Sequence, residues 1–229
     1  MKLIFIPGAA CGKTTWLCQT LYFTGSEAIA LPGHPEGKPC SSINGYVEWL
    51  RDYLQKQPYQ DIVLCGHSMG GAVAQQYGLS YGDSVKALVL IGTGARLRIH
   101  PDLLKLARDM VAGKLAWRDY LEERHATTVP EVRQTIIEDR MRIGPAVMLN
   151  DLLACDRFDV MAELPNIKLP TLVIGGRDDE LAPVKYAHYL ASQIKGAREV
   201  IVPGAAHWVL TEKPDEVNRA IEGFLSELA

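Results

Sequence analysis

The apolar, β-branched run Asp61-Ile62-Val63-Leu64-Cys65 stops at Gly66-His67-Ser68-Met69-Gly70-Gly71, and the helix-like Ala72-Val73-Ala74-Gln75-Gln76-Tyr77 follows at once. A short run of this kind has the pattern of a strand covered on both faces. A strand that enters a helix through Gly-x-Ser-x-Gly turns sharply at the serine, and the flanking glycines let the two segments close without Cβ clashes. The plainer reading of Ser68 is a helix N-cap, a position that serine favours. A capping serine needs no partners. A nucleophilic one needs a base, an acid and an oxyanion hole.

The rest of the chain supplies a frame for that turn. Strand patterns fall at Leu3–Ile6, Ala28–Leu31, Ile62–Cys65 and Ala87–Ile91, with helix patterns between them at Thr14–Phe23, Ile43–Gln57 and Gly70–Tyr81. Such alternation predicts a parallel sheet with helices on both faces. From 94 to 165 the pattern breaks into charge-rich helical stretches at Pro101–Ala112, Trp117–Ala126, Pro130–Ile143 and Ala146–Cys155. Alternation resumes with strands at Thr171–Ile174 and Glu199–Val202 and helices at Pro183–Ile194 and Pro214–Leu228. One α/β core, 1–93 and 166–229, is thus interrupted after its fourth strand by a helical segment, 94–165. An insertion there sits over the carboxyl ends of parallel strands, where ligands bind in open α/β sheets, and so reads as a cap over a pocket. The alternative is a helical excursion with no gating role.

Composition narrows the class. At 229 residues, 48% hydrophobic and 22% charged, the chain fits one soluble domain with a sizeable core. A net charge of −3 with no basic cluster gives no footprint for nucleic acid. The apolar start, Met1 to Ile6, stops at Pro7-Gly8, too short for a membrane span or signal peptide. Five scattered cysteines, without CxxC spacing, predict neither a disulfide framework nor a zinc site, and point to reduced thiols in the cytoplasm.

Of six histidines, His207 stands out as the base: it follows the strand Glu199–Val202 through Pro203-Gly204-Ala205-Ala206 and so falls at the same sheet edge as Ser68. His67 reads as structural, and His34, His100, His125 and His188 as loop or surface residues. The acid comes from the turn after Leu172-Val173-Ile174, where either Asp178 or Asp179 could orient the imidazole. One oxyanion donor is the amide after the nucleophile, Met69, and the other comes from the loop Pro7-Gly8-Ala9-Ala10. Gly8-Ala9-Ala10-Cys11-Gly12-Lys13-Thr14 imitates a phosphate-binding loop, but its spacing is one residue short, with Pro7 where glycine is required. In the helical segment, Arg96 and Arg98 read as solvated, and Asp156-Arg157-Phe158-Asp159 as an anchor to the core through charge pairs.

These motifs (GHSMGG, IPGAA, LPGHPEG, GGRDDELAP and PGAAHWVLTEKPDEV) resemble those of the α/β-hydrolase fold superfamily, specifically its compact, cap-bearing bacterial esterase-like members, and the likeness covers essentially the whole chain. The resemblance implies the order Ser68, Asp179, His207, with Gly176 and Pro183 selecting Asp179 over Asp178. It implies the Ala9 amide as the second oxyanion donor, although Pro7-Gly8 stands where the family usually has His-Gly. The family's usual first two strands are missing, which implies a mostly parallel sheet of about six strands with helices on both faces. A serine nucleophile counts against a haloalkane dehalogenase or epoxide hydrolase.

The expected activity is a serine hydrolase cleaving a small carboxylic ester or related acyl compound through an acyl-enzyme, requiring neither metal nor organic cofactor. Its expected partner is a small-molecule acyl substrate rather than nucleic acid or a membrane. The same fold hosts carbon–carbon bond hydrolases, lactonases, thioesterases and hydroxynitrile lyases, and a small-ligand receptor could use the scaffold without turnover.

Overall fold

The computed structural model describes residues 1–228. Six strands form one parallel sheet: β1 (Lys2–Ile6), β2 (Glu27–Ala28), β3 (Ile62–His67), β4 (Ala87–Ile91), β5 (Thr171–Gly176) and β6 (Arg198–Val202), in the order β2-β1-β3-β4-β5-β6. Helices α1 (Leu17–Tyr22), α2 (Ile43–Gln55) and α3 (Met69–Tyr81) lie among the first four strands. Between β4 and β5 come α4 (Pro101–Val111), α5 (Trp117–Arg124), α6 (Pro130–Ile143) and α7 (Pro145–Asp156). The chain closes with α8 (Val184–Gln193), α9 (Val209–Glu212) and α10 (Pro214–Ser226). Four of these helices begin on proline, which lacks the N–H that a first turn leaves unpaired, and Ser42 caps α2 by accepting from the Gly45 amide at 3.1 Å.

Side chains alternate across each strand, so the sheet has two apolar faces. Ile4, Ile6, Leu64, Leu88 and Leu90 pack against α2, α3 and α8. Leu3, Phe5, Val63, Val89 and Ile91 face Trp16, α9 and α10, with the Trp16 ring stacked on Phe5 at 4.7 Å. The expected parallel sheet of six strands is present. Two elements differ in detail. The strand expected at Ala28–Leu31 pairs with β1 only through Glu27–Ala28, because an edge strand leading to Pro32 has one neighbour and soon leaves it. The helix expected at Thr14–Phe23 opens as a 3₁₀ turn over Lys13–Trp16 before α1. Among the described residues, no helix is long and apolar enough to cross a membrane.

The chain steps outward from β1 to β2, then returns past β1 to β3, so strand order reverses between β1 and β3. A crevice opens at the carboxyl ends of strands at such a reversal. Gly8 and Ala9 leave β1 on one side of it, and Ser68 leaves β3 on the other.

Helices α4 to α7 build a third apolar cluster, with Met110, Trp117, Leu121, Ile137 and Leu152. Ala10, from the loop after β1, is buried in that same cluster. The ends of the segment run antiparallel, the Leu97 amide donating to Phe158 and the Val160 amide to Ala95. The charges expected to anchor it act differently. Arg96 and Asp159, 3.5 Å apart, tie entry to exit, and Asp156 accepts from the Ile99 amide at 2.9 Å. Of Arg96, Asp156, Arg157 and Asp159, it is the Arg157 guanidinium that reaches outside the segment, to the Ser41 carbonyl. Docking onto the core falls to Phe158, Val160 and Leu164, which are buried under α3 and α8.

Leu90, fully buried in the middle of β4, carries much of this packing. Leu90→Ala is expected to lower the unfolding free energy by about 2–5 kcal/mol at an unchanged m-value in urea titration.

Candidate active site

Ser68 stands at the tip of the β3–α3 turn with φ 53° and ψ −116°, a conformation that only surrounding contacts hold in a non-glycine residue. Those contacts are close. A Cβ on Gly66 would stand 2.1 Å from the Gly70 carbonyl oxygen, and one on Gly70 would stand 2.2 Å from the Ile6 oxygen. The Ser68 amide donates to Ile91 at 2.9 Å, and its carbonyl accepts from the Thr93 hydroxyl at 2.9 Å. The turn leaves the Ser68 side chain partly exposed and with no role as a cap.

His207 approaches from the β6–α9 loop. Its Nε2 lies 3.1 Å from Ser68 Oγ, and its Nδ1 lies 2.9 Å from Asp179 Oδ2. The other Asp179 oxygen accepts from the Leu181 and Ala182 amides, each at 2.8 Å. Of the two aspartates left open by sequence, Asp179 is buried beside the imidazole and Asp178 is exposed. The two loops meet because β5 ends in glycine: a Cβ on Gly176 would stand 2.2 Å from the Ala206 oxygen. The loop after β1 is pressed against the serine in the same way, a Cβ on Gly8 standing 3.2 Å from that of Ser68. Among the described residues, no protein group accepts from the Met69 or Ala9 amide.

Ala9, Ser68 and His207 line a cavity of about 690 Å³ roofed by apolar side chains of α4 and α7, including Leu103, Leu106 and Leu152. Arg98, Asp102, Arg124 and Glu180 at its mouth carry both signs. A hollow of about 740 Å³ at the opposite edge of the sheet contains no histidine.

The pattern of the Alpha/beta hydrolase family matches residues 3–220. The chain belongs to that family. It is 28% identical over 194 residues to a pimeloyl-[acyl-carrier protein] methyl ester esterase of Neisseria meningitidis, covering 79% of this chain and 62% of that one. It is 30% identical over 182 residues to a 2-hydroxy-6-oxo-6-phenylhexa-2,4-dienoate hydrolase of Comamonas testosteroni, covering 72% and 62%. The chain therefore spans less than two thirds of the length of either relative. A thermophilic esterase of solved structure superposes with a TM-score of 0.84 at 32% identity, over 99% of this chain and 90% of that one.

Three further histidines are buried. Sequence placed His34 and His125 on loops or the surface; both do lie in loops, but each is buried, closed over by the helices between β4 and β5. His34 Nδ1 donates to the Cys11 carbonyl at 2.8 Å, and its Nε2 lies 3.0 Å from Asp151. His125 Nε2 lies 2.9 Å from an Arg140 nitrogen that can only donate, so the proton sits on Nδ1, which donates to Thr128. His67 is buried beneath His207 and donates from Nε2 to the His207 carbonyl at 2.9 Å. His100 and His188 are exposed, as expected.

Sequence reasoning passed over Arg140 and Asp151, both fully enclosed. Arg140 lies between the indoles of Trp117 and Trp208, and Asp151 accepts from the Tyr46 hydroxyl at 2.7 Å. A signal was present: Arg140 shares one helix face with Ile136 and Ile143, and a charge on an apolar face needs a partner. Asp139, next in the chain, explains the phosphate-loop likeness. It accepts from Thr14 at 2.7 Å and lies where a Cβ on Gly12 would stand 2.1 Å from its carboxylate. The Asp139 side chain thus lies against the loop at Gly12 and Thr14.

Environment separates these titratable groups. Burial pushes the Asp179 carboxyl up, but hydrogen bonds from His207 and from the Ala182 and Leu181 amides outweigh it and hold it below the ordinary aspartate value. Burial, then repulsion from His207, lowers His67 to about 3. Burial, then the Arg140 charge, lowers His125 to about 2. Unfolding exposes both imidazoles, which take up protons below about pH 6.5 while the folded protein keeps them neutral. Stability therefore falls as pH is lowered from about 6.5 toward 3, by about 1.4 kcal/mol per pH unit for each histidine, and Asp179 adds to the loss below the ordinary aspartate value. Urea unfolding between about pH 4 and 7 should show this slope, and His125→Asn should make it shallower even if the variant is less stable at pH 7.

Proposed function

We propose that the protein is a serine hydrolase acting on esters of a small, largely apolar carboxylic acid, with Ser68 as nucleophile, His207 as base and Asp179 as orienting acid. The observation that carries this reading is the unbroken contact from Asp179 through His207 to a serine hydroxyl on the floor of an apolar cavity. Because Nδ1–H donates to Asp179, Nε2 presents a lone pair to the Ser68 hydroxyl. Oγ bonds the acyl carbon as its proton passes to Nε2, and the carbonyl becomes an oxyanion that accepts from the Met69 and Ala9 amides. The imidazolium, stabilised by Asp179, returns the proton to the departing alkoxide. Water then attacks the acyl-enzyme by the same steps.

In this reading residues 94–165 are a cap that shapes the acyl pocket, and the mouth, carrying both signs of charge, sets no strong preference for a charged leaving group. The Neisseria relative is named for cleaving a methyl ester and the structurally similar thermophilic protein as an esterase, which supports ester chemistry here.

A series of p-nitrophenyl esters of increasing acyl length tests the reading. Turnover is expected, with Ser68→Ala lowering kcat by on the order of 10⁶ and Asp179→Asn by about 10⁴. The preferred acyl length would size the pocket. A folded protein that hydrolyses none of the esters would overturn the ester assignment in favour of carbon–carbon bond cleavage, the chemistry for which the Comamonas relative is named.

A further inference from the structure

The geometry points to Arg140 and Asp151 as positioning residues that set the oxyanion hole from the helical segment, an inference that rests on the serine-hydrolase reading above. Gly8 to Cys11 form a tight turn, the Cys11 amide donating to the Gly8 carbonyl at 3.2 Å. Its third residue, Ala10, has φ 47°, where turns of this shape ordinarily carry glycine or asparagine. An alanine relaxes from there to negative φ by rotating the Ala9–Ala10 peptide, and a turn free to interconvert no longer holds the Ala9 amide in one place.

Two buried charges oppose that rotation. The Ala10 amide donates to Asp151 Oδ2 at 2.9 Å, and the Ala10 carbonyl accepts from Arg140 Nε at 3.0 Å. An anion at the N–H and a cation at the C=O match the peptide dipoles on either side of Ala10, and both hydrogen bonds are charge-assisted. Asp151 is on α7 and Arg140 on α6, more than a hundred residues further along the chain. Neither lines the substrate cavity. Each is held in place in turn, Asp151 by Tyr46 and His34, Arg140 by His125 and two indoles. The helices that roof the pocket therefore also fix the backbone that receives the developing negative charge, so the oxyanion hole is complete only when they are docked.

The test compares R140M, R140K and D151N with the wild type in kcat and KM on a p-nitrophenyl ester, in the rate at which phenylmethylsulfonyl fluoride labels Ser68, and in Tm. Rates are expressed per titratable serine, so partly folded preparations do not mimic the effect. R140M and D151N are expected to lose about 10- to 100-fold in kcat with KM within about threefold, because the oxyanion exists only after attack. Sulfonylation, which places a sulfonyl oxygen in the same hole, should slow in parallel, and R140K should lose less than R140M. Adding Ala10→Gly to D151N should restore most of the lost kcat while leaving the lowered Tm unrestored, since glycine holds the turn without help. A purely structural role would give the opposite: normal rates per titrated site, or no recovery with glycine, and either result overturns the proposal. Wild-type protein that is sulfonylated but hydrolyses no ester would remove only the ester assignment, with labelling rates still deciding the role of the two charges. Wild type inert to both reagents would overturn the serine mechanism and this proposal together.

Discussion

Everything at the site depends on how closely three backbones approach one another around Ser68. The β3–α3 turn closes on itself at Gly66 and Gly70, and Gly70 in turn lies against the end of β1 at Ile6. Each contact is shorter than any Cβ would allow, so these positions hold glycine for steric reasons independent of chemistry. The consequence is geometric. Strand β1 and the turn cannot separate, so the loop leaving β1 must pass within reach of the Ser68 hydroxyl. The Ser68 hydroxyl and the backbone beside it are thus placed together by packing before any polar interaction is made.

The helical segment between β4 and β5 is bound to that arrangement from the other side. Its apolar cluster takes in Ala10 as one of its own members, and two of its buried charges, Arg140 and Asp151, are hydrogen-bonded to Ala10 backbone atoms. Buried charges are costly unless paired and hydrogen-bonded. Among the described residues Arg140 has no carboxylate partner, so its remaining support is the Ala10 carbonyl, the neutral His125 ring and two indole faces. Undocking the segment would leave strained Ala10 without its hydrogen bonds, so segment and loop form one cooperative unit.

How much of this could be read from sequence follows from the range of each interaction. The strands, the Ser68 turn, the Asp178-Asp179 turn and the position of His207 rest on local patterns (apolar runs, glycines at fixed offsets, a loop following a strand), whereas the choice of Asp179 over Asp178 rested on the family resemblance. Those patterns placed helix α6 at Pro130–Ile143 with both ends correct. Burial of His34 and His125 was missed because it is decided by helices that lie a hundred residues away or across a loop, and a histidine in a polar stretch looks the same whether or not something later covers it. Asp151 and Arg140 were missed for a related reason. Their partners are backbone atoms of an alanine, which carry no sequence signal. The expected charge anchors at Asp156 and Asp159 were chemically reasonable, yet Phe158 between them performs the docking, because apolar burial holds the segment to the core more strongly than exposed ion pairs do.

The distribution of charge also sets one imidazole among four buried ones apart as the base of the proposed reaction. His67 and His207 lie with ring centres 5.0 Å apart, and the His125 ring centre lies 4.5 Å from that of Trp208, the residue after His207, with the two rings tilted. A proton on any one of them disfavours a proton on its neighbours. His125 faces the Arg140 cation, and His67 has only a carbonyl to donate to, so burial keeps both neutral. His34 has a carboxylate but is sealed from the cavity. His207 alone combines a carboxylate behind it, a hydroxyl in front and an opening to the cavity. Neutral His67 then adds stiffness without competing for the proton: its hydrogen bond to the His207 carbonyl fixes the backbone from which the base is presented. In the proposed reaction a cation at that place would repel the imidazolium on His207, so the low proton affinity of His67, a result of burial, also suits that reading.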